Sequence, residues 1–96
     1  MPTYVTLLHW TQHGIQNIKD SPSRLEQTKA ATKAAGGEMT TFYMTLGQYD
    51  MVAVIEAPDD ATYAKMVLAI ASQGGTRSQT LRAFTEDEYR EIVGSL

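Results

Sequence analysis

The side chains of this chain that could move a proton or hold an anion fall in a few short stretches: His9-Trp10, Tyr43, Tyr49-Asp50 and Arg82. Asp50 and His9 are the candidate catalytic residues, because a carboxylate or imidazole within hydrogen-bond reach of a substrate can take its proton. Arg82 or Tyr43 would then hold the resulting oxyanion. Tyr43, Tyr49, Arg82 and Trp10 are the candidate ligand-binding side chains. Each also has a plain structural reading. Asp50, close to Gly47, reads first as a carboxylate that pins a turn by accepting backbone N–H groups while Tyr49 packs. Arg82 reads equally as a carboxylate binder, pairing with Asp50, or as a charge that guards a sheet edge. Trp10 reads as core, His9 as a partly exposed strand residue, and Tyr43 as interface packing with a hydroxyl that a ligand could reach.

Metal chemistry is not expected. His9 and His13 share a face only on a helix, and His9 lies in a strand, so a zinc-type site would need Asp50 brought in as a third ligand. Glu86-Asp87-Glu88 reads as helix capping. Nucleophile elbows, phosphate loops and G-x-G-x-x-G patterns do not occur, so no cofactor is expected.

The elements that must position these residues centre on Glu38 to Ala57, EMTTFYMTLGQYDMVAVIEA. Two arms rich in β-branched, aromatic and long apolar residues flank a glycine, which predicts a β-hairpin. A two-residue turn at Gly47-Gln48 pairs Leu46 with Tyr49, Thr45 with Asp50, Met44 with Met51, Tyr43 with Val52 and Phe42 with Ala53. Alternation then sets Phe42, Met44, Leu46, Tyr49, Met51, Ala53 and Ile55 on one apolar face, suited to lie under helices. Met39, Thr41, Tyr43, Thr45, Asp50, Val52, Val54 and Glu56 form a mixed second face, suited to meet a partner or ligand.

Before the hairpin, Tyr4 to Thr11 reads as a strand with two largely apolar faces, hence central in a sheet. Ile15 and Ile18 allow one helical turn. Ser21-Pro22-Ser23 starts a helix, with Pro in the first turn and Ser23/Glu26 as a capping box; its face of Leu25, Thr28, Ala31 or Thr32, and Ala35 is narrow and small. Gly36-Gly37 ends it. After the hairpin, Asp59 or Asp60 caps a second helix carrying Ala61, Ala64, Val67, Leu68 and Ala71, and Gly74-Gly75 ends that one. A last strand runs from about Arg77 to Phe84. Thr85 with Glu88 makes a capping box for a terminal helix whose Tyr89, Ile92, Val93 and Leu96 form an amphipathic stripe.

This order is β-α-β-β-α-β plus a C-terminal helix: an α+β, ferredoxin-like arrangement with a four-stranded antiparallel sheet. Residues 1–96 read as a single domain. Both long helices cover one sheet face, and the other face is left open. A second copy packed on that open face is the simplest cover, giving a homodimeric α/β barrel or a larger assembly.

Composition agrees with a small globular chain. Of 96 residues, 43% are hydrophobic and 20% charged, and the net charge of −3 offers no electrostatic footprint for nucleic acid. No apolar run reaches the roughly 20 residues of a membrane helix, so no membrane contact is expected. MPTYVTLLHW lacks the basic start and small-residue cleavage site of a signal peptide. Cysteine is absent, which is compatible with a cytoplasmic location.

The segment L-G-Q-Y-D followed by an apolar strand and E-A-P-D-D resembles the GYD-domain family of small bacterial proteins. So do Trp10-Thr11 before Gly14, Lys19-Asp20-Ser21-Pro22, and T-L-R-A-F-T-E-D-E-Y. Gly47, Tyr49 and Asp50 are the matching positions of the family's three letters. The resemblance implies a ferredoxin-like fold in the dimeric α/β-barrel group and implies no reaction. Two functions are therefore carried forward. One is a non-catalytic assembly or small-molecule binding module. The other is a cofactor-free enzyme, monooxygenase- or isomerase-like, with a pocket built from Asp50, His9, Tyr43 and Arg82.

Overall fold

The sheet is laid around β1 (Thr3–Trp10), which pairs antiparallel with β3 (Met51–Glu56) on one side and β4 (Thr76–Ala83) on the other. β2 (Glu38–Met44) pairs with β3 and forms the far edge, so the strand order is β2-β3-β1-β4. The computed structural model describes residues 1–96. After β1 come the short helix α1 (Gln12–Gln16) and a 3-10 turn at Ile18–Asp20, which leads into α2 (Ser21–Ala34). α3 (Asp60–Ala71) crosses from β3 to β4, and α4 (Glu86–Gly94) follows β4. This is the ferredoxin-like arrangement the element order implies. No helix is long and apolar enough to cross a membrane.

The core forms between α2, α3 and one sheet face. Tyr4, Thr6 and Leu8 of β1 stand opposite Ile55, Ala53 and Met51 of β3 in register. Side chains opposite each other share a face, and this row packs with Tyr63 and Met66 of α3. Tyr63 stacks on Tyr4 with ring centroids 4.0 Å apart. Its hydroxyl lies 2.6 Å from Thr6 Oγ1 and 2.8 Å from Thr80 Oγ1, so the polar atom that α3 carries to the core on Tyr63 is bonded to two strands. α2 contributes small side chains, with Thr32 fully buried and donating to the Thr28 carbonyl of its own helix.

The helix ends follow their sequence signals with one exception. Asp59 caps α3 through the Thr62 amide at 2.8 Å, and Thr85 and Glu88 form the reciprocal box at α4. Gly36 and Gly74 take left-handed φ values of 89° and 81° at helix ends. The exception is α2. It begins at Ser21, with Asp20 in the cap position and no side-chain cap, so Ser23 and Glu26 do not form a capping box. The 3-10 turn runs directly into the helix, and the Ser21 amide already donates to the Ile18 carbonyl.

The hairpin register is as read for Met44–Met51, Tyr43–Val52 and Phe42–Ala53, but two details differ. A bulge between Met39 and Thr41 leaves Thr40 without a strand partner and sets Met39 opposite Ile55. A bulge inserts one residue and exchanges faces beyond it, so Met39 packs against the helix-side core instead of the mixed face. At the tip, the last pairing is Thr45 with Asp50, where the Thr45 amide donates at 2.8 Å and its hydroxyl reaches the Tyr49 carbonyl at 2.6 Å. Residues 46–49 therefore form a four-residue loop and not a two-residue turn. Leu46, in the loop, is left almost fully exposed, and Met44, still opposite Met51 on the helix-side face, lies at its uncovered end.

Candidate functional site

The open sheet face carries Val5, Leu7 and His9 from β1, Val52 and Val54 from β3, Thr41 and Tyr43 from β2, and Arg77, Gln79 and Leu81 from β4. Its middle is aliphatic and only partly exposed, while Tyr43 is 64% and Leu81 47% exposed at its flanks.

At one end of this face the hairpin tip closes on β1. Asp50 ends the β1–β3 ladder in two ways. Its amide donates to the Leu8 carbonyl at 2.9 Å, and its Oδ2 accepts the Trp10 amide at 3.0 Å. The same oxygen lies 3.8 Å from His9 Nδ1. That is an ion-pair distance if the imidazole is protonated, and too long for a hydrogen bond. Tyr49, released by the open loop, tilts against the His9 ring at 4.8 Å and donates its hydroxyl to Gln79 Oε1 at 2.6 Å. Tyr49 thus lies on the open face and not under the helices. Arg77 stands opposite His9 on β4. His9, Tyr49, Arg77 and Gln79, with Trp10 and Thr11, line an open and mostly polar recess.

The structure therefore brings together His9, Trp10, Tyr49 and Asp50. Tyr43 is on the same face but two strands away, on the sheet edge. Arg82 is elsewhere. It pairs with Tyr4 in register, on the helix side, six residues along β1 from Trp10, or about 20 Å. Its partner is Asp60 at 3.9 Å, not Asp50, and its guanidinium lies 5.0 Å from the Phe84 ring and 5.7 Å from the Tyr4 ring. An Asp50–Arg82 pair is excluded by strand register. Around this second cluster, the Tyr4 hydroxyl donates to Asp60 Oδ1. Burial, then the bond to Asp60 and its charge, push the Tyr4 phenol up to about 12.

The recess is lined by an imidazole and a guanidinium, with the Asp50 carboxylate beside His9, and no nucleophile is held by a base. Its imidazole and carboxylate side chains are 45% and 37% exposed. Trp10 turns its ring to the helix side, where Nε1 donates to Ser21 Oγ at 3.3 Å. No three His, Cys, Asp or Glu side chains cluster at a spacing that could hold a metal ion. Sequence reading missed Arg77 and Gln79, although their alternation with Leu81 in a strand placed them on one face. It also missed Arg24, which stands one helical turn before Thr28 and lines a second cavity between the helices and the sheet.

The family model of the GYD domain matches residues 4–93 of this chain. The chain belongs to the GYD-domain family. A relative from Thermus thermophilus, named glutamine synthetase and cystathionine beta-lyase binding protein, is 34% identical over 84 residues, which cover 86% of this chain and 88% of the relative. The crystal structure of TTHA0845, also from Thermus thermophilus, superposes with a TM-score of 0.57 over 88% of this chain and 95% of that one, at 24% identity. That likeness supports the fold. In this GYD chain, Gly47 supplies a φ of 121° in the hairpin loop, Tyr49 reaches across to β4, and Asp50 closes the ladder.

Proposed function

We propose that this GYD protein is a non-catalytic binding module that assembles as a homodimer through its open sheet face and docks on another protein. The observation that carries this reading is the aliphatic row Val5, Leu7, Val52, Val54 and Leu81 on a sheet face that no element of its own chain covers. Exposed apolar surface of this kind marks an interaction site, and a two-fold partner presenting the same face is self-complementary. Burial on the order of 800 Å² per copy is what a stable dimer needs. A second apolar surface is present on α4, where Tyr89, Ile92 and Val93 are exposed, and this stripe suits a protein partner. The name of the Thermus thermophilus relative, a binding protein for two enzymes, supports a metabolic enzyme such as glutamine synthetase as that partner.

Native mass spectrometry of protein purified from cells tests the assembly, with a dimer expected and a monomer overturning it. Biolayer interferometry against glutamine synthetase of the same organism tests the docking. Binding by the native chain and its loss in Ile92→Glu are expected, and the absence of binding by the native chain counts against this partner.

A second reading, a cofactor-free enzyme, rests on the His9–Asp50 pair beside Tyr49 and Arg77. Asp50 or His9 would take the proton and Arg77, in place of Arg82, would face the developing anion. The Trp10 amide already occupies the Asp50 oxygen nearest His9, which favours the structural use of this carboxylate. Equal binding and activity in a folded Asp50→Asn variant would remove this second reading.

A further inference from the structure

We propose that the cavity between α2, α3 and the sheet is a binding site for a short-chain aliphatic carboxylate, with Arg24 as the residue that holds the acid group. The cavity has a volume of about 80 Å³. Its inner walls are Leu25, Met39, Phe42, Met51, Met66 and Ile70. Ser21, Gln73, Thr76 and Ser78 also line it.

The Arg24 guanidinium decides the ligand class. Its Nη1 donates to the Asn17 carbonyl at 3.3 Å, while its Nη2 is buried with no hydrogen-bond partner in the protein. No carboxylate lies within ion-pair distance of Arg24. Buried guanidinium nitrogens are ordinarily paired, because removing the charge from water is costly. The guanidinium lines the cavity without a counter-ion, so a carboxylate held against its cavity side supplies the opposite charge. Arg24 is the one cationic side chain among the lining residues, so the site suits a single monoanion. A phosphate dianion would bring a second negative charge with no second cation in the lining to meet it.

The space decides the tail. A cavity of about 150 Å³ holds benzene with its six carbons, so half that volume takes an alkyl tail of about three carbons. Butyrate satisfies both conditions. The three methionines in the wall can adjust their rotamers to the tail. This site lies on the helix side of the sheet and does not rest on the sheet-face assembly proposed above.

The methionines also provide the test. Met39, Met51 and Met66 line the cavity, whereas Met1 and Met44 are exposed and outside it. Protein carrying ¹³C-methyl methionine is titrated with sodium butyrate, butan-1-ol and butylamine. Saturable shifts of the Met39, Met51 and Met66 methyls with butyrate are expected, with Met1 and Met44 stationary, and at least tenfold weaker binding of the alcohol and the amine. Arg24→Gln should weaken butyrate at least tenfold while the methyl spectrum of the free variant stays native. Absence of a saturable shift, butan-1-ol binding as tightly as butyrate, or unchanged butyrate affinity in a folded Arg24→Gln each overturn the proposal. The alcohol comparison uses the native chain and so decides even if the variant does not fold.

Discussion

The Trp10 amide donates to the Asp50 carboxylate at 3.0 Å, so a side chain continues the β1–β3 ladder one step beyond its last backbone pair. Without that oxygen, the part-buried N–H of Trp10 has no acceptor, and an unmet donor costs more than a typical bond contributes. Asp50→Ala is expected to lose about 1–2 kcal/mol. Asp50→Asn retains an acceptor and should lose under about 1 kcal/mol. Urea unfolding checks this through a shifted midpoint at constant slope. A loss in Asn equal to that in Ala would show that the charge beside His9 is the term that matters.

The Tyr63 hydroxyl joins Thr6 and Thr80 across the helix side of the sheet, and its ring lies nearly parallel to that of Tyr4, at 10°. Tyr63→Phe keeps the stack and leaves two threonine hydroxyls to find other partners, for an expected loss of about 1–3 kcal/mol. Tyr63→Ala removes the stack as well and should cost about 3–5 kcal/mol. Near-equal midpoints for the two variants would place the stability in the hydroxyl and not in the ring.

Tyr4 gives the fold a dependence on alkaline pH. Burial, with help from Asp60, raises its phenol from the ordinary value of 10 to about 12. The unfolded chain therefore sheds this proton from about pH 10, while the native chain keeps it to about pH 12. Its contribution is complete below pH 10 and is lost as pH rises through 12. The Tm of the native protein should fall more steeply between pH 10 and 12 than that of Tyr4→Phe. Parallel curves would assign the loss to other groups.

Gly14 is required by close packing of backbone, not by its own dihedrals. A Cβ built there falls 2.1 Å from the Gly75 carbonyl oxygen, the same atom that accepts the Thr11 amide at 3.1 Å. Neither segment can yield without breaking the β1–α1 junction, so Gly14→Ala should cost at least about 1–3 kcal/mol. Gly94→Ala, with open space around it, is the control and should be neutral to stabilising by up to about 1 kcal/mol.

What could be read in advance follows a physical divide. Local signals were legible: Asp59 and the Thr85–Glu88 box act within four residues, and the Met44–Met51 register follows from two alternating arms. Events that depend on partners distant in sequence were not. The bulge at Thr40 has no glycine or proline to mark it, and it carried Met39 to the other face. The open tip depends on Tyr49 finding His9 and Gln79, which are 40 and 30 residues away. The site suffered most, because Arg82 and Asp50 are both strand-associated polar residues that only the pairing of β1 with β3 and β4 could assign to opposite ends.

The open face supplies the strongest single test of assembly. Val54 sits in the middle of it, paired with Val5 on one side and Thr41 on the other. In an isolated chain its side chain is partly solvated, so Val54→Glu should be tolerated by the fold at a cost of about 1 kcal/mol. In a dimer closed by this face, two glutamates related by the two-fold axis would be buried against each other without partners, and such charges oppose association strongly. Light scattering should then report a dimer for the native chain and a monomer for Val54→Glu, with far-ultraviolet circular dichroism unchanged. Ile92→Glu on α4 should leave the dimer intact, which separates the two apolar surfaces. A dimer that survives Val54→Glu would place the contact elsewhere, and the aliphatic row Val5, Leu7, Val52, Val54 and Leu81 would then be the surface left for a different partner.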